Sequence, residues 1–397
     1  MVVLEAPPVR DTRRVSAAVA AAGVSSFALL YAPQPVLPQL AAGFRLDPGS
    51  ASLTIGVATG ALAVAVLPVA WLAGRVGRRR VIVWSVLATA IIGLLLPLAP
   101  SFSVLLAMRA VQGVAVAGFA GVAAAYLADA VGTARLPAAV GAMIAGNSVG
   151  GMLGRLGAGF AAGPMGWHGA LLVVAALSLV CALFAALTLP HDEAPHSGSQ
   201  TSGRGSPDAG PVRRARLGAG LVGPFAVGTL ATGAFVALYN AAGFRLAAPP
   251  LSLAPAAASL VFLSYAMGTA SSAAAGRLAA RLGWTKALVT ALAVTVAGAV
   301  LTAHPSLPLI ATGFAVLTAG FFAAHAIANA WVAAEAPPSA RGRAAGVYTL
   351  CYYLGSGLGG TAGGVVYGHA GWAWLIALTS AWLVLAVLAV LMTRRSR

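Results

Sequence analysis

Carboxylates are scarce in this chain: eight acids stand against 24 lysines and arginines in 397 residues, and charged residues make up only 8% of the total. With 60% hydrophobic residues and a mean hydropathy of +0.91, so low a charge content excludes an ordinary soluble domain. Cysteine is also nearly missing. Cys181 and Cys351 each sit within an apolar run and far from any metal-ligand spacing, so neither a disulfide framework nor a zinc site is expected. The single lysine, Lys286, is followed by alanine, and no Gly-x-x-x-x-Gly-Lys-Ser/Thr phosphate loop exists. No cofactor is expected, and the chain has no nucleotide motor of its own. Acids, histidines and cysteines clustered at catalytic spacing are missing too, which argues against a membrane enzyme. The formal charge of +16 does not read as nucleic-acid binding, because the arginines stand singly or in short groups between apolar segments.

What is present is a succession of apolar segments, each long enough to cross the ~30 Å hydrocarbon core of a bilayer as a helix. Hydropathy places them at 16–40, 51–73, 81–99, 103–128, 137–162, 169–189, 218–242, 255–278, 287–303, 307–333, 343–368 and 373–392. The first is too long for a signal-peptide core and is expected to stay as span one. The expected fold is an all-α polytopic membrane protein of twelve transmembrane helices in two pseudo-symmetric six-helix bundles, 1–190 and 217–397. Residues 191–216, rich in Ser, Gly, Pro and charge, form a flexible linker between them. With both termini in the cytoplasm, basic residues collect on that side, among them Arg75, Arg78, Arg79, Arg80 and Arg135; Arg45 and Arg245 fall outside.

The halves repeat. Ala41–Leu46 and Ala241–Leu246 are the same hexapeptide, AAGFRL, after spans one and seven. Asp129 to Arg135 pairs with Glu335 to Arg341, and the same offset of 206 carries Gly151, Gly154 and Gly157 onto Gly357, Gly360 and Gly363. Arg155 then pairs with Thr361. In span five, Asn147, Gly151 and Arg155 share one helical line, with Gly150, Gly154 and Ala158 beside it. The bare line suits close helix packing and the polar line suits a solute pathway.

Twelve spans split six and six, with a basic loop after span two, resemble the major facilitator superfamily of secondary transporters. Gly77, Arg78 and Arg79 match that family's loop signature between helices two and three, although Ala70 and Gly74 replace its first glycine and its aspartate. Arg109-Ala-Val-Gln112-Gly113 matches its Arg-x-x-Gln-Gly motif, which the resemblance associates with proton coupling in drug antiporters. Gly146 to Arg155 resembles the span-five motif of exporters, with Arg155 where proline is usual. Together with Tyr31-Ala-Pro-Gln-Pro35, this is similar to a bacterial inner-membrane branch labelled as arabinose- or drug-efflux permeases. The resemblance implies a secondary transporter that exports a small organic solute by alternating access with proton antiport. It implies a multi-pass bacterial inner-membrane protein whose partners are a small-molecule substrate, protons and the lipid bilayer, and not nucleic acid; a monomer is expected. A uniporter or an anion or sugar importer without proton coupling is the alternative, because none of the eight acids lies deep in a span. A non-transporting sensor or scaffold is the alternative from another class.

Candidate substrate-binding residues are Arg155, Asn147, Tyr31, Gln34, Asn240, His325, Asn329, Tyr348 and Tyr352. Arg155 carries a charge that costs at least ~2.5 kcal/mol near a bilayer centre, so it binds an anionic or polar substrate group or else exposed backbone carbonyls. His325 and Asn329 share a face of span ten, and Tyr348 and Tyr352 a face of span eleven. Tyr31, Gln34, Tyr239 and Asn240, toward the outer ends, read as gates or as interfacial anchors. Candidate coupling and gating residues are Arg109, Gln112, Gly77, Arg78, Arg79, Asp129, Arg135, Glu335 and Arg341. Asp129 with Arg135, and Glu335 with Arg341, are spaced for inner-surface ion pairs with the basic loops.

Overall fold

The computed structural model describes residues 12–131, 135–190 and 218–395; among these there is no strand. The helices in chain order are α1 (Thr12–Tyr31), α2 (Leu37–Phe44), α3 (Pro48–Val76), α4 (Arg78–Leu95), α5 (Phe102–Val131) and α6 (Leu136–Thr188) in the first half. The second half holds α7 (Val222–Ala226), α8 (Thr232–Ala247), α9 (Pro255–Ser259), α10 (Tyr265–Leu282), α11 (Trp284–Leu301), α12 (Leu307–Glu335) and α13 (Arg341–Arg395). A π-helical turn at Val227–Ala231 joins α7 to α8, and a 3-10 turn at Leu260–Ser264 joins α9 to α10. Counted with their short extensions, ten of the described helices are long and apolar enough to cross a membrane.

Local signals set the breaks. Asp47 caps α3 by accepting from the amides of Gly49 and Ser50, with Pro48 at the first helical position. Gly77 and Gly283, both at positive φ, separate α3 from α4 and α10 from α11. Two helices are far longer than one span, and each folds back at a glycine outside the helical region: Gly166 (φ 64°, ψ −176°) in α6 and Gly371 (φ 80°, ψ −172°) in α13. In α6 a Cβ on Gly157 would stand 3.6 Å from Val174, whereas seventeen residues of straight helix span roughly 25 Å. Both sequence gaps, 163–168 and 369–372, are therefore reversals within helix rather than loops.

The bare line of α6 packs on α1. A Cβ on Gly146, Gly150 or Gly154 would collide with the backbone of Ala20, Val24 or Ala28 respectively. In α13, Gly355 and Gly359 press in the same way on Thr229 and Gly233. These contacts are 205 residues apart, which corrects the offset of 206: the counterpart of Arg155 is Gly360, not Thr361. The slip has a simple origin, since a stripe of glycines at nearly every position aligns almost equally well at neighbouring registers.

The halves meet at the end away from Thr12 and Arg395. There Gly159 of α6 lies on Ser259 of α9, Gly49 and Gly364 bring α3 against α13, and Gly243 of α8 lies near Pro38 of α2.

Candidate functional site

Between α6 and α10, on the terminus side of the Gly159–Ser259 contact, lies a cavity of about 380 Å³. Asn147, Gly151 and Arg155 line one wall, as the polar line of span five requires. Tyr31 and Phe27 come from α1, Tyr265 and Thr269 from α10, Phe235 from α8, Phe322 from α12 and Tyr352 from α13. No carboxylate is among the lining residues. Ser148 and Thr269 both line the cavity and are exposed, and a Cβ on Gly141 or Gly276, nearer the terminus end, would meet nothing within 4 Å. The Gly159–Ser259 contact closes the cavity at the far end.

Arg155 is 3% exposed and has no carboxylate partner among the described residues. Its Nε donates to Gln34 Oε1 at 2.6 Å and its Nη1 to the Gly151 carbonyl at 2.7 Å. Its Cζ lies 4.0 Å from the Tyr31 ring centre, 4.5 Å from Tyr265 and 5.4 Å from Phe262. Ring faces attract a desolvated cation by about 0.5–2 kcal/mol each, which offsets much of the cost of burying this one. Gln34 in turn donates through Nε2 to Asn240 Oδ1 at 2.7 Å, joining the two halves. Asn240 Nδ2 and Asn147 Oδ1 are buried without a partner among the described residues; the latter sits against Gly23, where any Cβ would displace it.

Arg109 is fully buried elsewhere. Pro33 has no N–H to offer the Leu29 carbonyl, and α1 stops at Tyr31, so the last carbonyls of α1 need donors. Arg109 supplies them: Nη1 reaches Leu29 O at 3.2 Å, Nη2 Leu30 O at 2.6 Å and Nε Thr54 O of α3 at 2.8 Å. Nη1 also donates to Gln112 Oε1, and Gln112 Nε2 donates to Thr89 O of α4 at 3.0 Å. A Cβ on Gly113 would collide with the backbone of Ala58 in α3. The Arg-x-x-Gln-Gly sequence therefore pins four helices together, away from the cavity.

His325 is half-buried behind Tyr352, its ring 4.8 Å from that of Tyr352. The Tyr348 hydroxyl lies 2.8 Å from its Nδ1. Asn329 is exposed and joins none of these contacts. At the terminus end, Asp129 pairs with Arg78 of the basic loop, whereas Arg135 donates to Thr12 Oγ1 at 2.9 Å. Asp129 thus pairs with Arg78 and not with Arg135, and Arg78 also donates to the neighbouring Ala125 carbonyl of the same helix. Arg79 donates to the carbonyls of Ala186 and Leu189 at the end of α6. Among the described residues no group of three or more His, Cys, Asp or Glu could hold a metal.

Of the nine candidate substrate residues, Arg155, Asn147, Tyr31 and Tyr352 line the cavity. Gln34 and Asn240 stand behind Arg155, and His325 with Tyr348 behind Tyr352. Sequence reasoning missed Tyr265, Phe27, Phe235 and Phe322. Phe27 four before Tyr31, and Tyr265 four before Thr269, are the helical spacings that could have flagged two of them.

A helical bundle of many membrane crossings in two repeated halves, closed at one end around a buried cavity, defines a polytopic membrane transporter. The Major Facilitator Superfamily profile matches residues 19–254 and 225–397, and the chain belongs to that family. It is 36% identical over 375 residues to the inner membrane transport protein YnfM of Escherichia coli (strain K12), covering 94% of this chain and 89% of that one. It is 32% identical over 384 residues to the MFS-type transporter YybF of Bacillus subtilis (strain 168), covering 94% and 92%. Among solved structures, a bacterial homolog of the human lysosomal transporter Spinster, in an inward-facing and occupied conformation, superposes with a TM-score of 0.78 at 17% identity, covering 99% of this chain and 98% of that one. The POT family transporter PepTSo gives 0.77 at 14% identity, covering 97% and 98%. The protein is therefore a multi-pass transporter of a small molecule.

Proposed function

We propose that the protein exports a small organic solute across the bacterial inner membrane by alternating access, with twelve crossings and both termini in the cytoplasm. Two reversals added to ten long helices support the count, and the basic residues at the terminus end support the orientation. On this reading residues 1–190 and 217–397 rock about the cavity, joined by 191–216, and the conformation described is the inward-open one. Arg155 carries the proposal: a buried, caged guanidinium with no counter-ion, at the wall of the one described cavity between the halves. Arg155, Asn147, Tyr31 and Tyr352 contact the solute, and Gln34 and Asn240 close the outer gate.

Proton antiport, on this reading, uses His325 as the titrating group, since it is the histidine deepest in the bundle. The cavity's lack of a carboxylate favours a second reading, facilitated transport with no coupled proton. A thermal-shift screen would supply a transported solute, and its flux from proteoliposomes would be measured with and without an imposed pH gradient. Flux driven by the gradient and lost in His325→Ala supports antiport. Flux indifferent to the gradient supports the second reading, and the absence of flux for every stabilising ligand would overturn transport by this site.

A further inference from the structure

The polar groups of the cavity are one-sided. Arg155 uses Nε and Nη1 on Gln34 and Gly151, and Nη2 has no partner among the described residues. The hydroxyls of Tyr31, Tyr265 and Tyr352 are likewise unpaired there, and Asn147, with Oδ1 turned against Gly23, leaves its Nδ2 to the cavity. These groups can all donate, and they line the same cavity as one positive charge that no carboxylate of the lining meets. Apart from the hydroxyls of Ser148 and Thr269, the rest of the wall is apolar and largely aromatic: Phe27, Phe235 and Phe322, with the three tyrosine rings.

We propose, resting on the transport reading above, that the cavity takes an amphipathic organic monoanion. Its carboxylate accepts from Arg155 Nη2 and the adjacent donors, and its aromatic body lies against Phe27, Phe235 and Phe322. One carboxylate neutralises the single charge, and a charge-assisted hydrogen bond to it is about twice as strong as a neutral one. A second carboxylate would be desolvated with no cation left to meet it. A cationic solute would face Arg155 with no acid to offset the repulsion. A sugar would lose hydration against Phe27, Phe235 and Phe322 and recover only part of it from the few hydroxyls of the wall. A volume of about 380 Å³ falls at the small end of ligand sites, which suits a one- or two-ring solute.

The test uses the purified full-length protein in lipid nanodiscs and three near-isosteric probes: 3-phenylpropanoate, 3-phenylpropanamide and 3-phenylpropylammonium. L-Arabinose is the polar comparison. Binding is read by thermal shift and by titration of intrinsic fluorescence. The carboxylate is expected to bind at least about tenfold more tightly than the amide, a difference of about 1.4 kcal/mol, with no binding of the ammonium or of arabinose. Arg155→Gln should erase the preference of carboxylate over amide, and Arg155→Lys, which keeps the charge, should retain part of it and serves if the glutamine variant does not fold. Equal binding of acid and amide, preference for the ammonium or the sugar, or no binding of any probe at millimolar concentration would overturn the proposal. Flux of the same probes from proteoliposomes separates the two readings. A carboxylate that binds but does not cross leaves the site assignment standing and removes transport. Export of a cation or sugar does the reverse.

Discussion

Gln34 and Asn240 form the hydrogen bond that crosses from one half of the protein to the other at the closed end of the cavity, 2.7 Å from Nε2 to Oδ1, and the same Gln34 amide accepts from Arg155. The cavity-lining cation and the seam between the halves are therefore one amide apart. Anything that draws the Arg155 guanidinium toward the cavity removes the donor that orients Gln34 toward Asn240.

Asn240→Ala should therefore favour opening at the far end. A buried neutral hydrogen bond is worth about 0.5–1.5 kcal/mol, which corresponds to roughly a two- to tenfold change in the ratio of closed to open. A cysteine in place of Ser259, buried at the seam, would report it by labelling from the far side. Labelling no faster than in the parent would mean that the bond does not hold the seam.

Arg109→Ala removes the donor for Leu29, Leu30 and Thr54 carbonyls at once and leaves them in an apolar interior. Losses for hydrogen bonds to charged groups run at about 1.5–3 kcal/mol each. The variant should lose most of its folded yield in fluorescence-detected size exclusion, whereas Arg155→Gln should remain monodisperse. Normal yield for the Arg109 variant would show that water or neighbouring donors replace it.

Gly154→Ala forces α6 away from Ala28, while Gly141→Ala adds its methyl to open space. The first should lower stability by about 1–3 kcal/mol as an overpacked contact, and the second by less than about 0.5 kcal/mol. Thermal unfolding in one detergent compares them directly. Equal midpoints would mean that the helix pair slides without cost.

Asp47 accepts from the Ser50 hydroxyl at 2.5 Å and from the Ser50 and Gly49 amides at 3.0 and 2.8 Å, and these bonds, the Ser50 hydroxyl first, hold its carboxyl below the ordinary range. A lowered folded-state value means stabilisation that is present above the unfolded value of ~3.9 and lost as pH falls through the folded one. Asp47→Ala should cost about 1 kcal/mol at neutral pH. Its unfolding midpoint should converge on that of the parent as the pH is taken below about 4; a gap that persists in acid would assign the loss to packing.

The sequence made Arg155 visible because a lone charge in an apolar run is conspicuous, and the four-residue spacing put Asn147 and Gly151 on its face. That this helix suits close packing was legible as a stripe with no side chains, but that its partner is α1 was not. The aromatic cage was not legible either, because phenylalanine and tyrosine are as much at home in lipid as in a cavity, and beyond the spacing of Tyr265 and Thr269 nothing in α8, α10 or α12 says which face turns inward. The partner of Asp129 was hidden differently: Arg78 and Arg135 are both in reach, and the anchoring of Arg78 on the Ala125 carbonyl is a tertiary fact. The one-residue slip between halves came from redundancy in the glycine pattern itself.

The interruption at Pro33 to Pro35 has a mechanical side. Below it, α1 is locked backbone to backbone on α6 through Ala20, Val24 and Ala28; above it, Pro38 of α2 leans on Gly243 of the other half and Gln39 donates to the Ala162 carbonyl. Between Ala28 and the AAGFRL hexapeptide the first half has five more residues than the second has between Gly233 and its copy, and the surplus falls on this interruption. A helix broken there carries little torque from one arm to the other, so the seam can yield at its tip without twisting the α1–α6 pair, whereas the unbroken α8 must move as a lever. The duplicated halves are therefore unequal in stiffness, and opening at the far end should begin on the side of the jointed first helix.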